Sequence, residues 1–208
     1  MNTTEIEKQI RDYQLRFIQV RDPTVENSSP PIFAYTFNRV VRDTCRVPSQ
    51  DRFVEIYFEE HKTILAKILR NKEWKKALEA RVRRTYPSLV RDLHFNALIN
   101  EAGIEARYDE KLDVQDGIDH IITWEGKEVY LHCFVNTPAA NLYRRLKEKR
   151  HSVEGCHVNL VVQLTKEHSK KVGDFYLYTA EHIEALRGIL AEISAIKRVA
   201  DNKPNIYA

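Results

Sequence analysis

Cysteine is scarce in this chain of 208 residues: Cys45, Cys133 and Cys156 are the only three, far apart and odd in number. Neither a disulfide framework nor a clustered zinc site is written there, and a reducing cytoplasm is the expected home. Long apolar runs are missing too. No stretch approaches the roughly 18–20 apolar residues that span a bilayer, and MNTTEIEKQIRDY has neither the basic start nor the apolar run of a secretory signal. Membrane insertion and secretion are therefore not expected. Nor is there an excess of one charge: 33 Lys and Arg against 30 Asp and Glu leave a net +3, too little to argue for a nucleic-acid partner unless the basic residues cluster. The eight histidines are scattered with no HExxH arrangement, which removes a zinc-hydrolase motif. No glycine-rich phosphate loop and no serine nucleophile elbow is present.

Glycine is also sparse, and four of the six, Gly103, Gly117, Gly126 and Gly155, fall in the middle of the chain. Helices outside that region and a turn-rich sheet within it are the natural reading. With 43% hydrophobic and 30% charged residues, the chain has material for a soluble globular core with a helical appendage. Periodicity predicts a helix over 4–21, a linker at 23–31, an ambiguous stretch over 32–48, and a helix starting at Pro48-Ser49. A further helix covers Lys72–Arg84, and another is expected to begin at Pro87 and end near Gly103. The period then shortens. Strands are expected at Ile104–Glu110, Gly117–Trp124 and Glu128–Asn136, the last two joined as a hairpin through Glu125-Gly126-Lys127. A helix from Pro138 to about His151, strands at Cys156–Leu164 and Phe175–Tyr178, and a final helix capped by Thr179 complete the order.

Two clusters stand out. RYDEKLDVQDGIDHI gathers Asp109, Glu110, Asp113, Asp116 and Asp119 before a strand; a solvated acidic turn is the plain alternative to a site. RRLKEKR, in the 138–151 helix, holds five basic residues against one acid. There Arg144, Lys147 and His151 fall on one face, a stripe that can follow successive phosphates; Arg145, Lys149 and Arg150 add to it. Arg81, Arg83, Arg84 and Arg91 form a second basic run, and internal salt bridges are the competing use of both runs. Cys133 reads as a small apolar strand residue, and Trp74 and the tyrosines fall mostly at core periods.

The order of elements, with acids ahead of a hairpin strand, resembles the PD-(D/E)XK nucleases. LEARVRRTYPSLVRDLHF (Leu78–Phe95) followed by LDVQDGID (Leu112–Asp119) is similar to the TaqI family of type II restriction endonucleases. The matching residues are Leu78, Glu79, Ala80, Arg81, Arg84, Thr85, Ser88, His94 and Phe95, then Leu112, Asp113, Gly117, Ile118 and Asp119. The resemblance implies a restriction-endonuclease-like αβββαβ core over 78–208 behind a helical region at 1–77. It implies Mg²⁺- or Mn²⁺-dependent cleavage of double-stranded DNA in a prokaryotic defence or mobile-element setting. Asp113 and Asp119 would be the metal ligands, since hard cations take oxygen donors and activate water for attack on phosphate.

One departure bears on that activity. In the strand Tyr130-Leu131-His132-Cys133-Phe134-Val135, His132 stands in the acidic or polar place of the family pattern and Phe134 in the place of its lysine. A phenyl ring cannot stabilise developing charge on phosphate. Two replacements stay open: Arg144 or Lys147 as the displaced cation, or His132 as a metal ligand or base beside Asp119. The second functional reading is a degenerate nuclease fold that binds nucleic acid or a protein partner without cleaving; a homodimer is an open alternative in either case.

Overall fold

The computed structural model describes residues 1–69, 71–135, 153–162 and 167–201. It is a mixed α/β chain with a four-stranded mixed sheet. In order, the elements are α1 (Thr3–Ile10), α2 (Pro23–Glu26), α3 (Phe33–Thr44), α4 (Gln50–Glu60), α5 (Lys62–Ile68), α6 (Lys72–Glu101), β1 (Glu105–Arg107), α7 (Glu110–Asp116), β2 (His120–Trp124), β3 (Lys127–Val135), β4 (Cys156–Val162), β5 (Lys170–Val172), β6 (Phe175–Leu177) and α8 (Ala180–Asp201). Two compact units result: Met1–Ala97 with Lys170–Leu177, and Leu98–Ser169 with Tyr178–Ala208. The division falls inside α6, later than the 77/78 boundary read from the sequence, and the β5–β6 hairpin belongs with the first unit. Among the described residues no helix is long and apolar enough to cross a membrane.

In the first unit, Leu78, Val82, Tyr86 and Val90 recur every fourth residue on α6 and are buried with Ile6, Ile10, Phe37, Phe53, Phe175 and Leu177. Aromatic edges dominate the contacts, with Phe37 on Phe53 at 5.6 Å and Tyr86 on Phe175 at 6.0 Å between ring centroids. Three expectations change here. The helix expected over 4–21 ends at Ile10, because tertiary partners take the next backbone groups: Leu15 N–H donates to Asp174 Oδ2 at 2.9 Å and Arg16 N–H to Gln50 Oε1 at 2.7 Å. The linker at 23–31 contains one helical turn, started by the Asp22 carboxylate and Pro23. Pro87 does not begin a helix; it lies inside α6. Proline has no N–H for the carbonyl four residues back, here Arg83, and the buried Gln50 side chain supplies the donor at 3.0 Å instead.

The β5–β6 hairpin, of which only β6 was legible in the sequence, turns at Gly173-Asp174 and lies against the chain after α1. Gly173 has φ +56°, and a Cβ there would sit 2.4 Å from the Arg11 carbonyl oxygen. Gly173→Ala is therefore expected to destabilise the protein by roughly 1–2 kcal/mol, read as a lower denaturant midpoint at unchanged slope. An unchanged midpoint would show that the hairpin tip moves freely off Arg11.

In the second unit the sheet order is β1-β2-β3-β4. The first three strands form an antiparallel meander and β4 runs parallel to β3. The hairpin between β2 and β3 turns on Glu125 (φ +47°) and Gly126 (φ +72°), the paired left-handed conformations that match strand twist. Edge strand β1 is held at the end of α6, where the Asn100 amide pairs with both the N–H and the C=O of Ala106 (3.1 and 2.9 Å). Ile183, Leu186 and Leu190 bury one face of α8, which packs against β4, and Trp124 Nε1 donates to Ser194 Oγ at 2.9 Å. The start of α8 is closed by Thr179, whose N–H donates to His182 Nδ1 at 3.0 Å, with histidine in the place a glutamate takes in a capping box.

Candidate functional site

Much of the acidic run forms a helix. Asp109 Oδ1 accepts the N–H groups of Lys111 and Leu112 (3.0 and 3.1 Å), and Gly117, at φ +67°, closes α7 at its other end. The carbonyls of Asp113 and Leu112 then take the N–H groups of Gly117 (2.9 Å) and Ile118 (3.3 Å). A helix stands where the sequence offers a solvated acidic turn as the plain alternative to a site; Asp109 as a cap and Gly117 as a left-handed stop are the helix signals the sequence holds. Leu112 packs on Ile118, Ile121 and Tyr130, so α7 is seated on the sheet. Of the two carboxylates expected as metal ligands, Asp113 sits on this helix. Asp113 Oδ2 accepts the Tyr108 hydroxyl at 2.6 Å.

Asp119 stands one residue before β2. Its N–H donates to the Leu131 carbonyl (2.9 Å) and its Oδ2 accepts the Cys133 N–H (2.6 Å), so it brackets His132 and extends the ladder past the end of the strand. A carboxylate bonded to a main-chain N–H in this way has a structural role available without any ligand.

His132 is buried, at 1% exposure, and both ring nitrogens are engaged. Nδ1 donates to the Gly117 carbonyl at 2.7 Å, and Nε2 lies 3.0 Å from Nδ1 of His157 on β4. His157 Nε2 in turn donates to the Val153 carbonyl at 2.9 Å. Carbonyls only accept, so both outer nitrogens carry hydrogens, and a hydrogen bond between the inner pair needs one more. The rings are nearly parallel, with centroids 5.3 Å apart, and Tyr130 lies 5.1 Å from His157. Sequence reasoning left His157 as an ordinary strand residue; its meeting with His132 comes from the parallel β3–β4 register, which no local pattern encodes.

His120, the first residue of β2, is fully buried, and burial alone pushes its imidazole down to about 4. At the solvent end of the sheet Arg107 bonds Glu128 at 2.7 Å and lies 3.6 Å from Asp109. Arg107 beside Glu128 holds that carboxyl below its ordinary range. Among the described residues, no three His, Cys, Asp or Glu side chains gather so as to hold a metal ion. Asp113 and Asp119 supply oxygen donors of the right kind for magnesium, but each already has a protein partner, and the described residues by themselves do not make a fitted site.

Three of the four arginines in the second basic run serve the fold, and Arg91 is the exception. Arg81 donates to the carbonyls of Val25 and Ser28 (2.7 and 3.1 Å), Arg83 bonds Glu79 and Asp51 (2.8 and 2.6 Å), and Arg84 bonds Glu26 and the Val20 carbonyl. Internal bonds are thus the use the fold makes of these three arginines. Arg144, Arg145, Lys147, Lys149 and Arg150 lie outside the described residues. The chain matches no protein-family model, no curated protein and no solved structure.

Proposed function

We propose that the chain is a restriction-endonuclease-like protein, similar to the TaqI family, that binds double-stranded DNA through the RRLKEKR segment without efficient cleavage. The meander followed by a parallel fourth strand supports an αβββαβ reading, and RRLKEKR falls in the connection between β3 and β4. The observation that carries the non-cleaving part is the engagement of Asp119 by the Cys133 N–H, beside a His132 whose two nitrogens are both taken. Phe134 stands in sequence where the family pattern has its lysine. A carboxylate tied to the backbone and a phenyl ring in the place of the lysine weaken two of the contributions that metal-assisted phosphate cleavage needs.

The test pairs a gel-shift titration on duplex DNA with a plasmid-nicking assay in Mg²⁺ and in Mn²⁺. Binding should weaken with salt, and Arg144→Ala with Lys147→Ala should flatten the slope of log K against log salt by about 0.9 per lost phosphate contact. The plasmid should stay intact. Cleavage by the wild type that disappears in Asp119→Asn would replace this reading with the active metal-dependent nuclease. No duplex binding at low salt would remove double-stranded DNA as the partner.

A further inference from the structure

A groove of about 410 Å³ on the first unit is lined by Leu15, Phe17, Pro87, Arg91, Lys171, Asp174, Phe175 and Tyr176. Phe17 is the most exposed large hydrophobic side chain among the described residues, at 52%. It sits on a pinned loop: the Tyr13 hydroxyl donates to the Val47 carbonyl (2.8 Å), and the Leu15 and Arg16 N–H groups are held by Asp174 and Gln50. Lys171 and Tyr176 are directly opposed across β5 and β6 and therefore share one face of the hairpin. Arg91 follows Pro87 by one helical turn on α6.

What separates Arg91 and Lys171 from Arg81, Arg83 and Arg84 is that neither forms an ion pair or hydrogen bond among the described residues. The carboxylate in the groove, Asp174, already accepts the Leu15 N–H, and half-buried Arg91 and exposed Lys171 stand against this single acid. Two cations flanking aromatic rings match a chain of phosphates carrying aromatic bases. Stacking needs a base out of its pair, which a duplex does not offer.

We propose that this groove binds single-stranded nucleic acid, with a base stacked on Phe17 and the flanking phosphates held by Arg91 and Lys171. The choice of ligand class rests on the nucleic-acid reading above, but the surface is separate from RRLKEKR and the two are separately testable. Because the loop carrying Phe17 is already ordered by hydrogen bonds to Asp174 and Gln50, little ordering opposes binding.

The experiment is fluorescence anisotropy of a labelled oligothymidylate with the full chain, alongside the duplex titration. Phe17→Ala should weaken oligothymidylate binding by about 5- to 100-fold, the range of a lost base stack, while Phe17→Trp retains it. Arg91→Ala with Lys171→Ala should flatten the salt slope by about 1.4, at roughly 0.7 per single-strand phosphate contact. Neither change should alter duplex binding. Wild-type affinity in Phe17→Ala, or an unchanged salt slope in the double variant, overturns the proposal even if duplex DNA is bound. Binding of polyglutamate in place of oligothymidylate, lost in the same variants, would overturn it in favour of an acidic peptide. Oligothymidylate binding that depends on Phe17 in a protein that ignores duplex DNA would uphold the groove and reject the duplex reading alone.

Discussion

Gln50→Leu is expected to destabilise the protein by about 2–4 kcal/mol, although leucine fills much of the same volume. The reason is Pro87. With no N–H at Pro87, the Arg83 carbonyl inside α6 depends on Gln50 Nε2, at 3.0 Å, and Gln50 Oε1 also holds the Arg16 N–H at 2.7 Å. Gln50 is only 1% exposed, so water does not replace these bonds without local opening. The decisive comparison is a cycle. In a Pro87→Ala background the alanine N–H can complete the helical bond to Arg83, and Gln50→Leu should then be milder by about 1 kcal/mol or more. Denaturant unfolding of the four proteins measures this. Additive changes, within roughly 0.5 kcal/mol, would mean that Gln50 does not act as the stand-in donor for Pro87.

Acid should weaken the second unit before most carboxylates titrate. His120 is held neutral down to about 4 by burial, against 6.5 for the ordinary imidazole. Its stabilising effect is complete above pH 6.5 and is lost as the pH falls toward 4, because in that window the unfolded chain binds a proton that the folded chain refuses. The slope approaches about 1.4 kcal/mol per pH unit, and the total is on the order of 3 kcal/mol. In the first unit Glu7 acts at lower pH. Burial alone would raise its carboxyl, but hydrogen bonds from Lys170 and His94 hold it below 4.5, so its contribution disappears only as the pH falls below that value. Stability curves of wild type and His120→Leu, compared across this range, isolate the histidine term. Parallel curves would show that His120 is charged or solvated in the folded protein.

Site geometry divides along the same line as these predictions, between what is local and what is not. The acids at 109–119 were visible as a cluster, and Asp119 as the residue leading into a strand. Their partners were not. Asp109 caps α7 through neighbours two and three residues on, a relation the sequence contained. Asp119 reaches Cys133 across a hairpin, and His132 reaches His157 across a parallel pair whose connection is long. The resemblance to the TaqI family implies roles for Asp119 and His132 but does not contain the protein partners that both already have.

The chain by itself determined the elements whose signals are short-range. Glu125-Gly126 set the β2–β3 hairpin through two left-handed residues, Ser49 started α4, and the spacing of Leu78 and Val82 set the inward face of α6. Tertiary structure decided the places where a distant partner outweighs local preference. Gln50 lets α6 run through Pro87, and Asp174 and Gln50 take the backbone groups that would have continued α1. The β5–β6 hairpin, far along the chain, completes the first unit. In each case a buried main-chain donor or acceptor must find a partner, and the partner that wins is fixed by packing that a local sequence window does not contain.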